Sequence, residues 1–467
     1  MAENDLVLVA HLLRRAGFGA SRAELEIFAT KSYSAVVEEL LHPEQSPEVD
    51  EDVIQRYFDG ESINVASGAW IYRMINSRRP LQEKIALFWH HVFATAWYKS
   101  EHVPSMVTQI ALFRRVGLGD LRTILIELSK DPAMIYWLDN NENHKGQPNE
   151  NYGRELLELF SMGVGNYTET DIKMAARAFT GWTFTQPIPL YPNGFYPAAF
   201  AYRPEDHDDS IKTFLGHTGR LNGEDIVDII VQQPATARFI ARHLYNFFVA
   251  DEPQVPAWSL LPPQDPPAIE LLVRAFQESG GELRAVLRVL FNADFFKAAR
   301  FKKVKSPAEL VVGVIKLVGT HRFPDAGLLE LDSATDTMGQ QLMNPPTVEG
   351  WHTGKEWIDG GSLNERVNFA VNQLADLAKP GIQDIVNRLA ARDGAPGGSL
   401  AAEEVVDGCL DLVGPLEVDD LTRRALLDAT EAGGRLRFDT PEERQASAAR
   451  IDRLLQLIVA SREYQFA

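Results

Sequence analysis

Two glutamates three residues apart, Glu155 and Glu158, sit in the run NENYGRELLELFSMGVGNYT at 149–168. On a helix they share one face. A carboxylate pair so placed suits a divalent cation, or a division of acid and base roles. Arg154 is four residues from both Glu150 and Glu158, so an intrahelical ion-pair ladder explains the same residues equally well. The flanking Leu156, Leu157, Leu159 and Phe160 imply burial on more than one side, and buried charge is costly unless it is paired or used.

Histidines supply further chemistry. On QEKIALFWHHVF, residues Glu83, Leu87 and His90 share a face, while His91 lies about 100° round the helix. Imidazole titrates near neutrality, so His90 suits a metal ligand or a proton carrier; a satisfied core histidine is the plainer alternative. His207 stands among Asp206, Asp208 and Asp209, an arrangement able to complete a His/carboxylate site for zinc, manganese or calcium, or simply a solvated acidic loop. His217 is a weaker candidate. Trp351 and Trp357, in a glycine-rich loop with His352 and Lys355, offer aromatic faces to a carbohydrate or another polar substrate. Arg14, Arg15 and Arg177 suit an anionic group, or serve as partners of Glu155 and Glu158.

These residues define an expected site. Glu155, Glu158, His90 and Arg154 are its catalytic candidates, and Trp351, Trp357 and Arg177 its substrate-binding candidates. His90, His207 and Glu155 are its candidate ligands for a divalent metal. The chemistry expected is acid–base or metal-assisted hydrolysis or group transfer. The competing reading is a non-catalytic binding or assembly protein in which the same residues form a structural polar network. Whether the chain is an enzyme is left open by the sequence. Glu39–His42 and Glu349–His352 each show Glu-x-x-His spacing, but Pro43 ends the first helix and the second lies in a loop, so a di-iron bundle is excluded. The chain carries no zinc-protease helix motif, phosphate loop, nucleophile elbow or dinucleotide fingerprint.

The elements that must position these groups read as helices. Apolar spacing predicts helices over 5–16, 21–42, 65–77, 80–98, 104–116, 120–129 and 131–138. Ser21 with Glu24 forms a capping box, and Thr168 with Asp171 another. A helix from Asn151 to Met162 stops at Gly163, and the next runs to about Phe179 before Gly181. Residues 183–220 change character; Asn193-Gly194 is a hairpin signal and KTFLG a short strand. Further helices are expected at 223–232, 234–249, 268–279, 281–292, 306–319 and 363–378, with loops at 251–267 and 321–362. The fold expected is mainly α: a helical core over 1–392 with a β excursion at about 183–220, a linker at 393–399, and three amphipathic helices over 400–467.

Bulk properties bound the function. With 467 residues and 45% hydrophobic content the chain can bury a large core. A net charge of −19 excludes a general binder of nucleic acid or of anionic membrane. The single cysteine, Cys409, permits no intrachain disulfide and reads as a core residue. No apolar run of about 20 residues is present, so no membrane span is expected. The first residues lack a signal-peptide pattern, and the expectation is a cytoplasmic protein, a trimmed export signal being the alternative.

Seven motifs keep a fixed order: HLLRRAGFG, ALFWHHVFAT, NENYGRELLELFSMGVGNYTETD, AARAFTGW, HDDSIKTFLGHTG, QPATARFIARHLYNFFV and MGQQLMNPPTVEGWHTGKEWI. Together, from about His11 to Phe369, the chain resembles the bacterial domain-of-unknown-function 1800 family. The resemblance implies no established activity; it does imply that relatives are often exported. The family pattern often shows His-x-His after Phe-Trp. Here Val92 stands at the second histidine, and Phe160 stands where some members carry histidine. Both departures weaken an obligatory metal role at those positions.

Overall fold

Side-chain caps start many of the helices, and the sequence marks them. Ser21 accepts a hydrogen bond from the Glu24 N–H while Glu24 reaches back, and Thr168 with Asp171 and Ser306 with Glu309 repeat the pattern. The computed structural model describes residues 3–57, 62–185, 198–253, 257–392 and 399–467. Among these, twenty-four α-helices and two small antiparallel ribbons make a mainly α fold. β1 (Trp182–Thr185) pairs with β2 (Ala199–Tyr202), placing Trp182 opposite Tyr202. β3 (Lys212–Phe214) pairs with β4 (His217–Gly219). The β excursion is therefore two ribbons; the Asn193-Gly194 turn lies outside the described residues.

Several boundaries differ from expectation for local reasons. The helix expected over 21–42 is two, Arg22–Phe28 and Tyr33–Leu41, because Ser32 turns its hydroxyl onto the Ala35 N–H and begins a new helix. The helix expected over 80–98 ends at Val92, and Trp97–Ser100 is a separate turn. The helix expected to reach Met162 ends at Glu158. There Met162 and Gly163 both donate to the Leu157 carbonyl, at 3.1 and 3.0 Å, and Gly163 takes a φ of 78°. The expected loop over 321–362 contains the helix Gly327–Thr337, and Pro380–Arg392 is a helix beyond those expected. Gly327–Thr337 carries three carboxylates, Glu330, Asp332 and Asp336, which blur its apolar period. It forms because Leu328 and Leu331 pack onto the helix Ile63–Asn76, where Gly68 admits the Leu328 backbone.

One apolar core runs from Val9 to Tyr464. The three C-terminal helices, Ala402–Leu412, Asp420–Glu431 and Pro441–Ala460, occur as expected and add Val405, Cys409, Ile451 and Leu455 to it. Burial pushes the Cys409 thiol up to about 12, so it serves as packing and not as a nucleophile. Among the described residues no helix is long and apolar enough to cross a membrane.

Candidate functional site

The turn at 347–351 joins the two halves of the expected site. A bridge between Thr347 and Gly350 closes it. Gly350 has a φ of 88°, and a Cβ there would stand 2.5 Å from the His91 carbonyl oxygen, so only glycine lets the turn seat on the end of the Pro80–Val92 helix. Gly350 and Trp351 of the turn meet His91 and His90, and Glu349 acts on Glu155 of the Asn151–Glu158 helix.

His90 is fully buried. Its ring makes edge contacts with Trp70 at 5.8 Å and Trp351 at 5.1 Å, and neither ring nitrogen has a hydrogen-bond partner among the described residues. Burial first, then the neighbouring His91 imidazole, lowers its pKa to about 3, so it is neutral at ordinary pH. His91 stacks on Trp351 at 6.3 Å; burial first, then Lys303, lowers it to about 4. His243 on the helix Pro234–Phe248 is packed between Phe239 at 4.4 Å and Trp258 at 4.5 Å, its Nε2 unpartnered among the described residues. Burial holds its pKa well below the usual value, and His91 adds to the effect. Three neutral imidazoles thus occupy neighbouring parts of the interior.

The carboxylates are less enclosed. Glu155 and Glu158 are half-buried. Glu158 accepts a hydrogen bond from the Tyr167 hydroxyl at 2.8 Å. Glu155 has no such donor among the described residues; burial first, then Glu158, raises its pKa to about 7, with Arg154 opposing and Glu349 adding to the rise. Arg154 turns away from both. It donates to Glu169 at 2.8 and 3.1 Å and to Glu150 at 3.5 Å. Of the two partners available along the helix, only Glu150 is used, and Glu169 on the next helix takes the place expected of Glu158.

The other expected residues lie elsewhere. His207 is tied by Nδ1 to the Thr180 carbonyl at 2.9 Å beside Tyr202. Arg177 donates to Asp208 at 2.7 Å and also bonds Ser210, which fixes the loop after β2 and uses the guanidinium away from Glu155. Trp351 and Trp357 are buried together with Val304, so neither indole presents an open face. Among the described residues no three His, Cys, Asp or Glu side chains come together as a metal-holding group, so His90, His207 and Glu155 do not assemble into the ligand set expected for a divalent metal.

Beneath the histidines lies an ionic cluster that the sequence reading did not assemble. Glu309 accepts from Arg15 at 3.0 Å and pairs with Lys84, which also donates to the Gly17 carbonyl at 2.9 Å. All three residues are buried. Burial alone would raise the Glu309 carboxyl, but Lys84 and Arg15 outweigh it and hold the group well below the usual carboxylate range. A signal existed: Lys84 and Glu309 interrupt apolar helices, as His243 and Glu83 do. Their mutual contacts span more than two hundred residues of sequence and have no local signature.

Fold and site together define a class: a mainly α protein with a polar interior of neutral histidines, a half-buried proton-holding carboxyl and an ionic lock. The chain belongs to the DUF1800 family, proteins of unknown function, whose pattern covers residues 11–466. No curated protein and no solved structure matches it.

Proposed function

We propose that the protein is an acid–base enzyme acting on a polar substrate by hydrolysis or group transfer, with Glu155 as its proton-transfer group. The observation that carries the reading is the Glu155 carboxyl itself, which is half-buried, lacks a hydrogen-bond donor among the described residues, and has a pKa raised to about 7. A group poised there is half-protonated at neutral pH and can give or take a proton with little driving force lost. Glu158, oriented by Tyr167, and Glu349 on the facing turn complete an acidic rim. Arg154 positions the helix through Glu169. The net charge of −19 favours a substrate that is neutral or cationic over nucleic acid.

The competing reading, a binding or assembly protein, is favoured by the enclosure of His90, which reaches no solvent. A panel of chromogenic esters, phosphoesters and glycosides separates the two. The enzyme reading expects turnover that is lost by about 10²-fold or more in Glu155→Gln with the fold intact. Its pH profile breaks near 7. Turnover equal in Glu155→Gln and wild type, or none across the panel, sinks it.

A further inference from the structure

The chain is acidic, yet basic groups converge inside it. Arg15, Lys84, Lys303 and Arg366 are buried, and Arg14 and Lys305 are half-buried beside them. Among the described residues two carboxylates form ion pairs with these six, Glu309 with Arg15 and Lys84 and Asp251 with Lys303 at 2.6 Å, while Glu417 acts on Arg14 through space alone. The remaining three bond neutral oxygens. Arg14 Nη1 donates to the Gly414 carbonyl at 2.6 Å, and Lys305 Nζ to the Tyr464 carbonyl at 2.7 Å. Arg366 donates to Gln465 at 2.9 Å and to the Lys305 carbonyl at 2.8 Å.

Their bonding capacity is not used up. Nε and Nη2 of Arg14 and Nη1 of Arg366 are buried without partners among the described residues. Arg14 and Lys305 both line a cavity of about 60 Å³, walled also by Phe18, Gly414 and Tyr464, with Glu309 at its margin. Burying a cation without a directly bonded anion is expensive, and guanidinium nitrogens without acceptors add to the cost. Lys305 shows the strain: burial first, then Arg14 and Arg366, holds its ammonium well below the usual range.

We propose that this cavity is a binding site for a small tetrahedral oxoanion, held by the free edge of Arg14 and the Lys305 ammonium. At about 10–15 Å³ of such space per water, the volume corresponds to about four or more water molecules, which admits phosphate or sulfate and excludes a nucleotide or a sugar. A planar guanidinium with two free N–H directions matches two oxygens of such an anion, while the ammonium supplies a point charge. The site lies on the helix Glu3–Arg15 and the segment at 303–306, away from Glu155, and does not depend on the catalytic reading.

The test is titration of the full-length protein with inorganic phosphate, and separately with sulfate, at constant ionic strength set with chloride. Heat of binding and Tm are read together. One saturable site and a Tm that rises with anion concentration are expected. Arg14→Gln should weaken binding by about tenfold or more, while the surface variant Arg122→Gln leaves it unchanged. Arg14 also packs over Phe301, at 4.7 Å to the ring centre, so Arg14→Lys is the second variant; it keeps the charge, loses the fork and should still lower the affinity. Binding of either anion supports the oxoanion class, and preference for one identifies it. A Tm that responds to neither anion overturns the proposal. So does a rise that persists unchanged in both Arg14 variants, since general salting-out would produce it.

Discussion

A carboxyl that loses water without gaining a donor keeps its proton, and Glu155 is in that position. The folded-state pKa is raised to about 7 from 4.5. Its contribution to stability is therefore fully present below about 4.5 and is lost as pH rises through about 7. Glu155→Gln should remove that loss and stabilise the protein at pH 8 by about 1–2 kcal/mol, after allowance for solvent screening of a half-buried group. Urea unfolding of wild type and variant across this range reads the difference; equal slopes would show that Glu155 is an ordinary carboxylate. At this scale the sequence was informative about residue types and silent about partners. The spacing of Glu155 and Glu158 was plain, but Glu169 draws Arg154 across a turn, fifteen residues away. His207 looked like a ligand because of its acidic neighbours, whereas its ring is spent on a backbone carbonyl.

Among the elements, the turn at 347–351 does the most to shape the site, although it contains no helix. Its position rests on Gly350, where φ is 88° and a side chain would strike the His91 carbonyl. Gly350→Ala should cost about 2 kcal/mol or more, since it adds both backbone strain and a clash. It should also lower the pKa of Glu155, by moving Glu349 away. Chemical denaturation and carboxyl titration by NMR check the two effects; loss of stability with no change at Glu155 would separate the turn from the site. Helix starts were legible because capping residues are local. The ends at Val92 and Glu158 were not, because packing sets them, nor was Gly327–Thr337, whose carboxylates mask its buried face.

For the molecule as a whole, a chain of net charge −19 gathers Arg15, Lys84, Lys303 and Arg366 in its interior, with Glu309 among them. Its mainly helical class was readable from apolar periodicity. The convergence was not, because Arg15, Lys84 and Glu309 meet only in three dimensions. That meeting has a consequence for how the chain is made. During synthesis Arg15 and Lys84 leave the ribosome long before Glu309 does, and until it emerges their helices can close only around two unneutralised cations. The N-terminal helices should therefore stay open to protease in nascent chains that stop short of Glu309. Protection should appear once the helix Pro307–Val318 is free to dock. In chains carrying Arg15→Met and Lys84→Met, which bring no charge inside, protection should come earlier. If both sets of chains become resistant at the same length, apolar packing alone times the event; if they differ, a single glutamate acts as the clock for folding the first third of the protein.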